Sequence, residues 1–318
     1  IQYKANNDNI NTITSNRIND FAEDKYGNIW ISTWKGGLNK LYIDENGEER
    51  IIAYRHDEND LTSINYDRIT NIFADSRGHI WLGTYNRGVN RAKISRNSDL
   101  LSFDSFKNEK DNKYSLSHNT AYTFFEDRAG EIWIGTWGNG ISKAGHHSNR
   151  MLLLGFQNGF KDKGFNEVWS IDTDENNNWW VGSWDGGVTQ IIPNETGSVL
   201  SYDKKIKYYK HNPNDPNSIS DNKVTSVLHD SKDRLWATTW GNYINVAYDV
   251  SKKEDLQFKK IKVGDSAYFV YEDKKGMIWV GTRNGLHLIH NTQAANFSNT
   301  VVETRVYRSV EDNPRSLP

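Results

Sequence analysis

The stretch EDKYGNIWISTWKGGLNKL, at residues 23–41, returns in altered form five more times along the chain. Each copy has an Asp six residues before a Trp, and Gly, Asn or Asp three residues before that Trp. The aligned tryptophans are Trp30, Trp81, Trp133, Trp180, Trp236 and Trp279. They lie about fifty residues apart, a period typical of repeated units that stack side by side.

Each repeat contains four short segments with strand character. In the first copy these are RINDFA at 17–22, NIWIST at 28–33, LNKLY at 38–42 and IIAYRH at 51–56. Four antiparallel strands of this kind make one blade of a β-propeller, and we name them A to D in chain order. The sequence therefore predicts an all-β protein with six visible blades. They span residues 15–56, 66–107, 117–156, 165–210, 221–262 and 264–308.

The two ends of the sequence predict additional strand D segments. IQYK at 1–4 matches IAYR at 52–55 and KYYK at 207–210, so it reads as the last strand of a preceding blade. RVYR at 305–308 likewise reads as a strand D. Because six A-B-C sets are then accompanied by seven D strands, we expect the chain to be part of a seven-bladed or tandem propeller. The alternative is a ring of six blades.

The six repeated acidic residues predict turn-stabilising side chains. They are Asp24, Asp75, Asp127, Asp174, Asp230 and Asp273. The residues three positions after them are Gly27, Gly78, Gly130, Asn177, Asp233 and Gly276. These types tolerate the positive φ of a tight turn, and an Asp side chain can accept hydrogen bonds from the turn's backbone N–H groups. Since a catalytic residue is not needed in six copies, the pattern favours a structural role.

Composition excludes several function classes. The 39 basic and 41 acidic side chains leave a formal charge of −2, so no long-range field favours nucleic acid or an anionic membrane. There is no Cys, which excludes disulfides, thiolate zinc sites and a cysteine nucleophile. No apolar run is long enough to span a bilayer.

The repeat motif D-x-x-G-x-I-W-[ILV]-G-T-x-x-x-G-[ILV], together with HNPNDPNSISDNKVTSV at 211–227, resembles the two-component regulator propeller repeats. The resemblance implies the periplasmic sensor half of a bacterial hybrid two-component system, which binds an oligosaccharide released from a polysaccharide. It also implies further propeller, immunoglobulin-like and histidine kinase domains in the same chain, and a homodimer at full length. No catalysis and no cofactor are expected of these repeats themselves.

One set of candidate ligand residues opens the B–C turns, four residues after each anchoring Trp. This turn position holds Trp34, Tyr85, Trp137, Trp184, Trp240 and Arg283. Exposed aromatic rings suit sugars, because the apolar faces of pyranose rings stack on them. Recurrence in five of six repeats is also typical of packing between blades, and both interpretations stay open.

A second set lies at the start of strand A, where the repeats differ. The mouth position, thirteen residues before each Trp, holds Arg17, Arg68, Thr120, Glu167, Lys223 and Ser266. The inner position, two residues later, holds Asn19, Thr70, Tyr122, Trp169, Thr225 and Tyr268. The three basic and three aromatic side chains predict a ligand-binding opening, and arginine suits the carboxylate or sulfate of an acidic oligosaccharide. The alternative is solvated charges beside buried inter-blade aromatics.

The position just before the mouth predicts a local structural role instead. It holds Asn16, Asp67, Asn119, Asn166, Asn222 and Asp265, all short acceptors suited to shaping the D–A loop.

No metal or catalytic constellation stands out. His146 with His147, and His287 with His290, lack a third ligand at a recognisable spacing, so surface histidines are expected. Two other function classes remain. One is a propeller enzyme such as a sialidase or polysaccharide lyase, although the sialidase Asp box places its Asp five residues before Trp rather than six. The other is a protein-interaction scaffold.

Overall fold

The computed structural model describes residues 3–6, 8–96, 98–144, 151–154, 165, 167–194, 199, 204–289 and 304–308. Within these ranges the chain forms twenty-four β-strands in six four-stranded antiparallel sheets. The same ranges contain a short 3-10 turn at Val250–Lys252 but no α-helix, and none of their helical segments has the length and hydropathy of a membrane span. The predicted all-β class and four-stranded blades are confirmed.

Residues 1–154 form one compact unit with three blades. Blade 1 is β1 (Ile18–Glu23), β2 (Ile29–Thr33), β3 (Leu38–Ile43) and β4 (Glu49–Tyr54). Blade 2 is β5 (Ile69–Ala74), β6 (His79–Thr84), β7 (Gly88–Lys93) and β8 (Phe103–Phe106). Blade 3 is β9 (Ala121–Glu126), β10 (Ile132–Thr136), β11 (Ile141–Ala144) and β12 (Met151–Leu154).

Residues 155–318 form a second compact unit, also with three blades. Blade 4 is β13 (Val168–Thr173), β14 (Trp179–Ser183), β15 (Gly187–Ile192) and β16 (Lys205–Tyr209). Blade 5 is β17 (Val224–His229), β18 (Arg234–Thr239), β19 (Tyr243–Tyr248) and β20 (Lys259–Lys262). Blade 6 is β21 (Ala267–Glu272), β22 (Ile278–Thr282), β23 (Gly285–Ile289) and β24 (Thr304–Tyr307).

In every blade the strands are hydrogen-bonded in chain order, A to B to C to D. Strand A carries a register irregularity near its start, as between Ile69 and Asn71. The mouth position lies just before this irregularity and the inner position lies within it, so the side chains that vary between repeats stand where the ladder is least regular.

Apolar side chains from adjacent blades form the core within each unit. In the first unit Trp30 of blade 1 is buried in one cluster with Ile69 and Ile80 of blade 2. Gly83 of strand β6 has no room for a larger side chain, since a Cβ there would stand 2.7 Å from the carbonyl oxygen of Ala121 in blade 3. The glycine of the repeat motif therefore permits close approach of the next blade.

The predicted number of seven D strands stays a prediction. Tyr3 and Lys4 lie outside any strand, and residues 1 and 2 lie outside the described ranges. Residues 309–318 also lie outside them, so whether the chain is part of a seven-bladed or tandem propeller stays a prediction.

Candidate functional site

The repeated Asp and Trp form one hydrogen-bonded unit in each blade. In blade 1 the Asp24 Oδ1 atom accepts from the backbone N–H groups of Tyr26 and Asn28 at 2.8 and 3.1 Å. Its Oδ2 atom accepts from Trp30 Nε1 at 2.8 Å. The indole bond recurs in the other five blades at 2.7–3.1 Å. The prediction that these carboxylates stabilise the turn is confirmed, and their bond to the indole is an additional finding.

The turn residues adopt the left-handed backbone that the sequence predicted. Gly27, Gly78, Gly130 and Gly276 have φ between 71 and 85°, and Asn177 and Asp233 have φ of 62 and 56°. Glycine, Asn and Asp are the types that reach this region at least cost, so all six residues fit the turn.

The short acceptors before the mouth position hold the D–A loops. Asp67 Oδ1 accepts the His56 N–H at 2.7 Å. The same bond, across the same eleven residues, joins Asn16 to Ala5, Asn119 to Asn108 and Asn222 to His211. The predicted loop-shaping role is confirmed in these four copies, while Asn166 lies outside the described residues.

The structure joins the turn and mouth positions in every blade. The backbone N–H of each turn residue donates to the carbonyl oxygen of the mouth residue at 2.9–3.1 Å. The pairs are Trp34 with Arg17, Tyr85 with Arg68, Trp137 with Thr120, Trp184 with Glu167, Trp240 with Lys223 and Arg283 with Ser266. The two sets of sequence candidates therefore form one surface at the same end of each blade.

In the first unit the turn residues form a row of rings, the unit 1 aromatic row. The ring centroids of Trp34 and Tyr85 are 6.0 Å apart, and those of Tyr85 and Trp137 are 6.2 Å apart. Tyr122 of the inner position packs on Trp137 at 5.8 Å. Contact between rings of successive blades confirms a packing role, yet Trp137 remains 39% exposed, so the row also presents a surface.

Two arginines lie against this row. The guanidinium carbon of Arg68 is 3.5 Å from the Trp34 ring centroid and 3.8 Å from that of Tyr85. The guanidinium carbon of Arg17 is 4.5 Å from the Trp34 centroid. Both separations fall within the range of cation–π attraction.

In the second unit four rings form the unit 2 aromatic cluster of Trp169, Trp184, Trp240 and Tyr268. Trp169 stacks on Trp184 with centroids 4.7 Å apart and planes 19° apart. Trp240 meets Trp184 edge-on at 5.0 Å and Tyr268 at 5.4 Å. Trp240 and Tyr268 are 41% and 38% exposed, and Lys223 Nζ lies 5.2 Å from the Trp184 ring. Arg283 is exposed at the turn of blade 6.

The polar residues of the inner position connect neighbouring blades. Thr225 Oγ1 donates to the Ala267 carbonyl of the next blade at 2.7 Å. Asn19 and Thr70 donate in the same way to the carbonyl oxygens of Ile69 and Ala121. Tyr122, Trp169 and Tyr268 carry rings at this position in place of a short polar group.

Hydroxyl residues at the mouth position also connect blades. Ser266 Oγ donates to the Trp240 carbonyl oxygen at 2.7 Å. Thr120 Oγ1 donates to Asn86 Oδ1 at 2.8 Å and accepts from the Asn86 N–H at 3.0 Å. Thr120 and Ser266, which the sequence did not select as ligand residues, therefore have a structural role.

Two carboxyl groups of strand A have raised pKa values, and the sequence did not indicate either of them. Burial raises the pKa of Asp20 to about 6, although its Oδ2 atom accepts from Asn71 Nδ2 and the Ile72 N–H. Burial likewise raises the pKa of Asp172 to about 6, although the His229 N–H donates to it at 2.6 Å. Both buried carboxyl groups lie where two neighbouring blades meet, so the sequence of one blade does not indicate their burial.

The predicted exposure of His287 is wrong. This residue is 3% exposed in strand β23, and within the described chain neither ring nitrogen has a hydrogen-bond partner. Burial and the nearby charge of Arg308 lower its pKa, favouring the neutral ring. His146, His147 and His290 lie outside the described residues. Among the residues described, no group of His, Cys, Asp or Glu could hold a metal ion.

Six Trp-anchored antiparallel blades define a β-propeller fold. Three segments, residues 12–35, 63–86 and 115–138, match the two component regulator propeller family. These three segments therefore carry two-component regulator propeller repeats, as the motif predicted.

Solved structures share this fold. The extracellular domain of one hybrid two component system of B. thetaiotaomicron aligns with a TM-score of 0.73 and 18% identity, over 95% of this chain and 36% of that one. A second from the same organism aligns with a TM-score of 0.58 and 17% identity, over 91% and 42%. Virginiamycin B lyase from Staphylococcus aureus aligns with a TM-score of 0.60 and 15% identity, over 93% and 85%.

These likenesses establish the fold alone. The chain spans 36% and 42% of the length of the two extracellular domains. No curated protein sequence matches it.

Proposed function

We propose that this chain is the ligand-sensing propeller of a hybrid two-component signalling protein and that it binds an oligosaccharide derived from a polysaccharide. The observation that carries the proposal is the exposed aromatic side chains at the turn and mouth end of the blades in each unit. Trp137 in the first unit, and Trp240 and Tyr268 in the second, are each more than a third exposed. Aromatic faces flanked by polar groups suit pyranose rings, which present both C–H faces and hydroxyl edges.

The family match supports the signalling part of the proposal. Three repeats match a family of two-component regulators, and two structural neighbours are extracellular domains of hybrid two component systems. A periplasmic location is part of the proposal, as are further propeller, immunoglobulin-like and histidine kinase domains in the full-length protein. The full-length protein is proposed to act as a homodimer.

Signalling in this proposal involves no bond making by the propeller. A ligand shifts an equilibrium between two arrangements only through its different affinity for each of them. Blades joined by backbone and side-chain bonds resist internal change, so occupancy is proposed to alter how the propeller packs against neighbouring domains.

A panel of neutral, uronate-containing and sulfated oligosaccharides tests the proposal by calorimetric titration against the purified chain. We expect saturable binding to at least one member. Absence of binding to every member would contradict the proposed function.

The same incubations address a catalytic alternative, because one structural neighbour is a lyase. Each mixture is separated by chromatography after overnight incubation. We expect the oligosaccharides to be recovered intact, whereas products released at catalytic rates would favour a polysaccharide lyase or sialidase-like enzyme. A protein-interaction scaffold would bind none of the sugars.

A further inference from the structure

Arg17 and Arg68 place two positive charges on one ring. Their guanidinium carbons lie 4.5 and 3.5 Å from the centroid of Trp34, and Arg68 also contacts Tyr85 at 3.8 Å. These separations bring the Arg68 guanidinium into contact with both rings, within the range of cation–π attraction.

Neither side chain has a protein acceptor in the part of the chain that the structure describes. The Nε–H of Arg68 is buried there without a hydrogen-bond partner. No carboxylate of the described residues pairs with Arg17 or Arg68. Aromatic faces attract the cation but cannot satisfy N–H donors that lie in the plane of the guanidinium.

Comparison with the other blades shows that packing does not require this arrangement. At the same mouth position Thr120 and Ser266 bond to the turn of the preceding blade with ordinary hydrogen bonds. Arg68 makes no such bond to the turn of blade 1. The hydroxyl groups of Thr120 and Ser266 have acceptors at this position, whereas the Arg68 Nε–H has none in the described chain.

A bound oxyanion would supply the hydrogen-bond acceptors that these two arginines lack. Two like charges on one ring repel each other, and a bound anion relieves that repulsion while accepting the free N–H donors. Arginine is the residue type whose planar donor pair matches the oxygens of a carboxylate or sulfate.

We infer that Arg17 and Arg68, stacked on Trp34, bind an anionic group of the sugar ligand, either a sulfate ester or a uronate carboxylate. This inference rests on the proposed function and narrows its substrate class to acidic oligosaccharides. The equivalent surface of the second unit differs, because Glu167 holds the mouth position of blade 4 and Lys223 lies farther from its ring, at 5.2 Å.

Three disaccharides distinguish the sources of the charge. They are 6-O-sulfated N-acetyllactosamine, which has a sulfate and no carboxylate, hyaluronan disaccharide, which has a carboxylate and no sulfate, and neutral N-acetyllactosamine. Each is titrated calorimetrically into the wild type, Arg68→Met, Arg68→Lys, Arg17→Met and the matched control Lys25→Met, whose Nζ lies 5.3 Å from the Tyr26 ring in an A–B turn. Because Arg17 is exposed, Arg17→Met keeps the test valid even if Arg68→Met impairs folding.

We expect one acidic disaccharide to bind more tightly than the neutral one, and its identity names the anionic group. Arg68→Met should weaken that binding about 10- to 100-fold, as expected for losing charged hydrogen bonds. Arg68→Lys should weaken it less, Arg17→Met should also weaken it, and Lys25→Met should leave it unchanged.

Two results would overturn the inference. Equal binding of acidic and neutral disaccharides with no effect of Arg68→Met would remove the anionic site but leave the glycan-binding proposal standing. Absence of binding by all three disaccharides would also remove the anionic site, and the broader panel then decides on glycan binding separately.

Discussion

At the scale of single residues, the anchoring Trp of each blade depends on the Asp six positions earlier. That carboxylate accepts backbone N–H groups through one oxygen and the indole N–H through the other. Trp30 is 1% exposed, so its N–H group has no access to water and would lose its partner without Asp24. The pair therefore connects the A–B turn to the core.

Replacing Asp24 by Ala should lower the free energy of unfolding by about 2–4 kcal/mol, because several donors lose one acceptor and the indole N–H stays buried. Chemical denaturation measures the change. In a Trp30→Phe background, which lacks the indole N–H, the same replacement should cost less. An equal cost in both backgrounds would show that the indole bond contributes nothing.

Asp20 and Asp172 should make the fold sensitive to pH. Their folded-state pKa values of about 6 exceed the ordinary Asp value of 3.8, so the folded chain binds protons more tightly than the unfolded chain between about pH 4 and 6. Their contribution to the free energy of unfolding is therefore fully present below about pH 4 and is lost as pH rises through 6.

The double variant Asp20→Asn, Asp172→Asn should remove this contribution. Urea denaturation at pH 4.5 and 7.0 should show a smaller fall in stability with rising pH than in the wild type. Asp111→Asn is the control, since Asp111 is exposed and its φ of 70° suits Asn. An unchanged pH slope in the double variant would contradict the assigned burial.

The sequence predicted the turn chemistry of single residues but not their burial. Positive φ at Gly27 and Asn177 follows from residue type. The raised pKa of Asp20 depends on Asn71 and Ile72 of the next blade, and no local pattern records that contact. The burial of His287 without a hydrogen-bond partner likewise depends on contacts that no local pattern records.

At the scale of elements, strand A decides how successive blades join. Its inner position carries a short polar group that bonds the next blade in blades 1, 2 and 5, and an aromatic ring in blades 3, 4 and 6. Thr225, which is 4% exposed, bonds both Ala267 of blade 6 and Thr238 of its own blade. This division separates structural copies from candidate ligand residues more clearly than the sequence alone allowed.

Replacing Thr225 by Val should lower the free energy of unfolding by about 1–2 kcal/mol, because the carbonyl oxygen of Ala267 loses a buried donor while the shape is kept. Thr225→Ser retains the hydroxyl and should lose less. Both are measured by denaturant unfolding. Equal stability of the Val variant and the wild type would contradict an inter-blade role for this bond.

The loops that connect the blades differ in length, which the repeated motif does not predict. The D–A loops at 55–68, 107–120 and 210–223 are equally long, whereas residues 263–266 alone connect blades 5 and 6. In the longer loops a strand C side chain holds the chain, as Asn90 Oδ1 does for the Asn65 N–H at 3.0 Å. His287 stands at the position of Asn90 in strand C, and the short loop leaves it without that partner.

At the scale of the whole molecule, each unit presents aromatic rings at the B–C turns of its blades, with different neighbours. The first unit adds two unpaired arginines, and the second stacks Trp169 on Trp184. The period near fifty and the Asp-to-Trp spacing were sufficient to predict the blades. They could not predict which rings would be exposed, because exposure depends on contacts between repeats.

The central claim is that the turn and mouth end of the blades binds the glycan while the repeated Asp and Trp maintain the fold. Comparing Trp137→Ala with Tyr26→Ala on the oligosaccharide panel tests it most directly. Tyr26 is similarly exposed, at 40%, but lies in an A–B turn. We expect Tyr26→Ala to bind like the wild type and Trp137→Ala to bind about tenfold or more weakly, through lost stacking. Equal binding by the two variants, or weakening only by Tyr26→Ala, would contradict the claim.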